Sequence, residues 1–360
     1  MNEKELDQLL RIDENENITF DTSLRKKINK KIYIRCIIVA VAVCLVIVCG
    51  YFGTSYFLDF INYNPYQEEG ILEYDSDTEL NHNFDLLMQT YIEMTYPGKV
   101  YLPIGDLENQ NIKSSGFSNY TISAKIQEHF VPLYTDGQSN TTFTISHSKL
   151  INIETSENHA LSFVVGEFKD PQNKEFQAIT TLKDIENELN DLPDSTILDV
   201  SISFKDYQSL NDIIKYIKKY PNSTFTWLAL KDQSHSGAQG VSGGMSIFDN
   251  TFYELTSEAK KKYPNFYLAE NLTEENLKEN YLSRLQLLID HPDFIKLLST
   301  YYGHNISLEI LNDQYIKAQK EMKGYGLRVC TNKKDLLSML KSNDLSYVYI
   351  NNLKLSQYQQ

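Results

Sequence analysis

The chain has 360 residues and a formal net charge of −14, a balance that argues against direct binding to nucleic acid or anionic lipid. Cys36, Cys44 and Cys49 lie in one apolar stretch and Cys330 stands apart, which excludes a small secreted fold stapled by disulfides. The core therefore has to come from apolar packing, and aromatic residues at 12% of the chain can supply it.

Residues 1–31 read as a polar tail with two short amphipathic pieces. Leu6, Leu9 and Leu10 share a helical face, and Ile12 follows. The run DENEN, starting at Asp13, is expected to interrupt it. Ile18, Phe20, Leu24, Ile28 and Ile32 then lead helically into the next segment. Pieces this short are marginal as isolated helices, so the tail reads either as a docking segment for a cytoplasmic partner or as a stop-transfer leader with a frayed end.

The segment 32–58 contains the uncharged stretch Cys36–Leu58. As a helix it extends ~35 Å, enough to cross a hydrocarbon core of ~30 Å. Arg25, Lys26, Lys27, Lys30, Lys31 and Arg35 precede it. Asp59, Glu68, Glu69 and Glu73 follow, and the next basic residue is Lys99. Such asymmetry predicts a cytoplasmic N-terminus and an extracytoplasmic remainder. The stretch is too long and too deep in the chain for a cleaved signal peptide. Val48 before Cys49 argues against a lipoprotein site.

Residues 59–79 read as an acidic linker, and Leu80 to Met94 as a helix stopped by Pro97-Gly98. Strand-like runs start at Val100, Tyr120, Thr142 and Leu161, giving a strand-rich first part over 80–172. From 173 to 360 the pattern is α/β. A helix starts near Ile179. In the next strand Leu198, Val200, Ile202 and Phe204 alternate with Asp199, Ser201 and Ser203, which predicts one buried and one solvated face. A helix with Leu210, Ile213, Ile214 and Ile217 ends before Pro221, and the strand TFTWLALK follows, with Trp227 in the core. A long helix near Asn271 has capping-box spacing at Asn271 and Glu274 and is broken by Pro292. Ser307 caps a further helix. The chain then gives a strand (GLRVC), a helix with Leu336, Leu337 and Leu340, and a strand (YVYI). The fold class expected is α+β: one transmembrane helix, then an extracytoplasmic α/β ectodomain. Its two β-α-β units admit a ferredoxin-like sheet in the C-terminal part.

No catalytic constellation stands out. The histidines are dispersed, and no nucleophile elbow or zinc-ligand spacing occurs. The Gly-rich stretch from His235 to Gly244 lacks the lysine of a phosphate-binding loop and reads as a connection. The pairs Glu68-Glu69 and Glu274-Glu275 read as solvated surface. No cofactor or metal is expected, and the chain is not read as an enzyme. An anchored hydrolase would need a motif that the sequence does not offer.

The basic stretch FDTSLRKKINKK before the span, the helix ending TYPGKV, the strand TFTWLAL and the segment YGLRVCTNKKDLLSMLKS together carry a family likeness. From about Phe20 to its end the chain resembles the membrane-bound sigma factor regulators of Gram-positive bacteria, anti-sigma proteins with N-terminal and C-terminal regulator domains. The resemblance implies that the tail holds an extracytoplasmic-function sigma factor inactive and that the ectodomain senses envelope state, with a second membrane or envelope protein as a further partner class. It makes 173–360 the C-terminal regulator domain. If the tail binds a sigma factor, its apolar spacing makes Leu6, Leu9, Leu10, Ile12, Ile18, Phe20 and Leu24 the expected contacts, in a helix-in-groove mode. The tail is short for that task. The competing reading is an envelope assembly or docking protein with a non-enzymatic ectodomain.

Overall fold

In the computed structural model, the structure describes residues 3–66, 70–73, 83–103, 111–128, 138–155, 167–173, 180–231, 243–248, 254–268, 271–301 and 306–355, with side chains from Arg25 onward. The chain forms two compact units, Met1–Phe60 and Ile61–Gln360.

The first unit is one helix, α1, over Glu3–Ile61. The expected interruption at DENEN is absent, because Asp13 to Asn17 continue the helix. Acidic and amide side chains can point outward without breaking the backbone ladder, and no Pro or Gly stands there to stop it. The part from Arg25 to Ile61 is long and apolar enough to cross a membrane, and its apolar window is not covered by protein. That fits single-pass anchoring.

The second unit starts with α2, Asn83–Thr95, every residue of which is buried. Leu80, the expected start of this helix, lies outside the described residues. The next strands are β1 (Lys99–Pro103), β2 (Ile112–Gly116), β3 (Asn119–Glu128), β4 (Gln138–Ser146) and β5 (Lys149–Thr155). They form an antiparallel sheet in the order β1-β3-β4-β5. β1 and β2 both pair with β3, β1 opposite Ala124 to Glu128 and β2 opposite Asn119 to Ile122. Positive φ at Phe117 and Ser118, and at His147 and Ser148, turns the chain tightly between β2 and β3 and between β4 and β5. The strand expected from Leu161 lies mostly outside the described residues.

The C-terminal half contains α3 (Leu182–Asn190), β6 (Ile197–Ser209), α4 (Leu210–Lys219), β7 (Thr224–Leu230) and β8 (Gly244–Ser246). It continues with α5 (Ser257–Lys262), α6 (Glu274–Ile289), α7 (Pro292–Ser299) and α8 (Leu308–Lys320). It finishes with β9 (Lys323–Asn332), α9 (Lys333–Lys341) and β10 (Leu345–Lys354). The sheet runs β10-β6-β9-β7-β8, all neighbours antiparallel. Its first four strands have the ferredoxin-like order expected from the repeated β-α-β pattern. β8 extends the sheet beyond β7, and α5 to α8 are inserted between the two β-α-β pieces, β6-α4-β7 and β9-α9-β10. Ser307 caps α8 as expected. Pro292 opens α7, where its missing N–H leaves no bond unmade. The cap of α6 is Thr273 with Asn276, not Asn271 with Glu274. The box forms two residues later because Thr273 accepts from the Asn276 N–H and Asn276 reaches back to the Thr273 N–H.

The expected solvated face of β6 is a correction. Asp199, Ser201 and Ser203 are as buried as Leu198, Val200 and Ile202. Alternation gives the two faces of a strand but not what covers the polar one. Here Glu167 bonds to Ser201, Arg328 to Asp199 and the Lys169 N–H to Ser203, so the polar face is paired within the protein.

Candidate functional site

Leu6, Leu9, Leu10, Ile12, Ile18, Phe20 and Leu24 all fall on α1, and their side chains lie outside the described residues. The His235 loop is likewise outside them, except for Gly243 and Gly244, which lead into β8. A Cβ at Gly244 would sit 1.8 Å from Trp227 Cζ2, so glycine there lets β8 pass the indole ring.

What the structure does bring together is a set of polar groups around α2. α2 has apolar Phe84, Leu87, Met88, Tyr91 and Ile92 on the face read from the sequence, but Asp85, Gln89, Thr90 and Glu93 are buried too. Buried polar groups are stable only when paired, so each must meet a partner.

Glu93 meets Arg284 of α6. Arg284 Nη1 lies 2.7 Å from Glu93 Oε2, and Gln89 Nε2 donates to Oε1 at 2.8 Å. The guanidinium also stands over the Phe266 ring, 5.7 Å from its centroid. The Glu93 carbonyl, close to the end of the helix, accepts from Trp227 Nε1 at 2.9 Å. One of the carbonyls that a helix end leaves without an intrahelical partner is thus bonded from the other half of the unit.

Arg328 of β9 makes the second cluster. Its Nε and Nη2 grip the two oxygens of Asp199 at 3.0 and 2.6 Å, the forked geometry that guanidinium and carboxylate share. Nη1 donates to the Pro97 carbonyl and lies 3.6 Å from Glu167 Oε1. Glu167 accepts from Ser201 Oγ at 2.7 Å, and Asn351 Nδ2 donates to the same hydroxyl at 2.9 Å. Gly98 has φ +65°, and Arg328 is packed against it so closely that a Cβ there would lie 2.8 Å from the guanidinium. Cys330 on the same strand is an inert thiol, pushed up to about 12 by burial and by the Asp199 carboxylate.

Asp85 differs from both. Its side chain is fully buried, and it is met by the Tyr101 hydroxyl and by Asn111 Nδ2, which lies 2.9 Å from each carboxylate oxygen. Burial raises its carboxyl to about 7, and the two hydrogen bonds offset that only in part.

These groups bind and position. Among the described residues no set of three or more His, Cys, Asp or Glu side chains could hold a metal ion. Sequence reasoning missed Asp85, Glu93, Arg284 and Arg328. Glu93 and Arg328 do stand in or beside the segments TYPGKV and YGLRVC, but nothing in their spacing marks them as buried.

Residues 189–352, which hold most of the C-terminal sheet, match the family model described as sigma factor regulator C-terminal, a likeness that supports a role in regulating a sigma factor. No curated protein and no solved structure matches the chain. The match holds Asp199, Trp227, Arg284 and Arg328. Their partners Glu93, Pro97 and Glu167 precede it.

Proposed function

We propose that this protein is a single-pass membrane anti-sigma factor. Its tail is cytoplasmic and sequesters an extracytoplasmic-function sigma factor. Its ectodomain lies outside the membrane and senses the state of the envelope. The observation that carries the reading is the sigma factor regulator match at 189–352 in a chain that also has, among the described residues, one helix able to span a bilayer, with its flanking basic residues on the N-terminal side. We also keep the five segments 1–31, 32–58, 59–79, 80–172 and 173–360 as the units of function, with the last as regulator domain.

In this reading Leu6, Leu9, Leu10, Ile12, Ile18, Phe20 and Leu24 form the apolar contact of the tail. The tail has a helical backbone, which suits insertion of one face into a groove of the sigma factor. The test is a pull-down from detergent-solubilised cells of the full chain beside a form lacking Met1 to Asp21. The expected result is a sigma factor recovered with the full chain only. Full recovery with both forms, or after Leu6, Leu9 and Leu10 are all changed to Asp, overturns the assignment of the tail. Recovery of envelope proteins alone with both forms would favour the docking protein.

A further inference from the structure

Four carboxylates are deeply buried in or against the polar layer around α2, and they are handled in two ways. Glu93 is met by Arg284, and Asp199 and Glu167 by Arg328. Asp85 is met by a hydroxyl and an amide, both uncharged. The elements packed on α2 include β1, β8 and α6, and Phe143 of β4 and Phe294 of α7 stack on its Phe84. β4 has no titratable side chain, and Asp293 and Lys296 of α7 are exposed. β1 offers Tyr101, already on Asp85, and Lys99 at its half-buried start. β8, Gly244–Ser246, has no titratable side chain. α6 offers Tyr281 and Arg284, and Arg284 is held by Glu93.

A carboxylate ion in such a place is penalised by desolvation with no cation among the described residues to offset it, whereas the neutral acid is not. Asn111 adds a second sign. Its Nδ2 faces both Asp85 oxygens, and its Oδ1 is buried with no hydrogen-bond partner. Turning the amide over would present that acceptor to a protonated Asp85. The site is thus arranged to hold a proton as well as to do without one.

We propose that Asp85, Tyr101 and Asn111 form a proton-operated switch in the core of the second unit: the protonated acid seats α2 on the first sheet, and loss of the proton to solvent as pH rises loosens that seat. The acid, raised to about 7 by burial, fits this assignment. Its use as a signal rests on the anti-sigma reading; the switch itself does not.

The sign follows from linkage. The folded protein holds the Asp85 proton up to about pH 7, whereas the unfolded chain loses it in the ordinary carboxylate range. Between those limits each pH unit lowers the folding constant by up to about tenfold, and above about 7 the loss levels off. Going from pH 5 to pH 8, the wild-type chain should therefore lose about a hundredfold more than Asp85→Asn, which keeps a neutral group at the site.

The experiment uses the full chain in detergent micelles. Urea unfolding is followed by Trp227 fluorescence from pH 5 to 8, and infrared difference spectra monitor neutral carboxyl groups in the wild type and in Asp85→Asn. The expected result is a neutral carboxyl band that titrates away near pH 7 in the folded wild type and is missing from Asp85→Asn, with a flatter pH dependence of stability in the variant. Equal pH slopes in the two proteins overturn the proposal. If Asp85→Asn does not fold, the wild-type spectrum decides, since a folded protein without a neutral carboxyl at pH 5.5 overturns it as well.

Discussion

Two helices follow one another along the chain with opposite solutions to the same problem. α1 has an uncharged stretch from Cys36 to Leu58 and leaves it uncovered by protein, whereas α2 is rich in polar groups and buries every residue. Apolar side chains left uncovered over such a length call for lipid, where the helix satisfies its own backbone. Polar side chains buried over a whole helix call for partners in the protein, and α2 draws Tyr101 and Asn111 to one end and Arg284 and Trp227 to the other. The difference teaches that hydrophobicity alone predicts the surroundings of α1 and mispredicts those of α2, whose burial rests on matched polar groups.

The comparison can be broken most sharply by removing a partner from α2. Arg284→Met leaves Glu93 buried without its cation, and the expected loss is about 3–5 kcal/mol of stability. Urea unfolding in micelles, read from the single tryptophan, measures it. The double change with Glu93→Gln should be less damaging than Arg284→Met alone, because no buried charge is then left over. An effect under about 1 kcal/mol for Arg284→Met would mean that the pair does not hold α2.

The reciprocal change puts a charge where α1 has none. Leu45→Asp should raise the free energy of membrane insertion by about 3–4 kcal/mol. Alkaline extraction of membranes should release more of this variant than of the wild type. Unchanged retention would argue that α1 does not depend on lipid at that depth. The smallest effect is expected on α2 at Thr90, whose hydroxyl donates to the Leu86 carbonyl at 2.7 Å. That carbonyl also has its helical N–H, so Thr90→Val leaves no acceptor stranded and should cost about 1 kcal/mol or less in the same unfolding assay.

Much of the fold was legible because period and punctuation agree in the C-terminal half. Alternation along Leu198 to Phe204, the stripe of Leu210, Ile213, Ile214 and Ile217, and the second strand-helix-strand set gave the sheet order that the structure has. Ser307 and Pro292 acted locally, so they could be read locally. The caps at Thr273 and Asn276 were misplaced by two residues, because several polar side chains there can serve and only the backbone decides. β8 and α5 were missed: one is three residues long and the other six, too short to show a period. The site was less legible than the fold. Glu93 finds Arg284 across 191 residues and Asp199 finds Arg328 across 129, and no spacing in a single sequence encodes such encounters.

The insertion of α5 to α8 has a consequence for the order of events when the protein is made. β6 ends at Ser209, yet its two neighbours in the sheet are β9, which starts at Lys323, and β10, which starts at Leu345. A central strand that waits this long for both of its neighbours gives a slow, long-range closure. Until translation has delivered the last strand, β6 has open edges on which another copy of the chain can pair. Ribosomes that stop before residue 345 would release an unfinished sheet, so the cell obtains a complete C-terminal sheet only once β10 has been made.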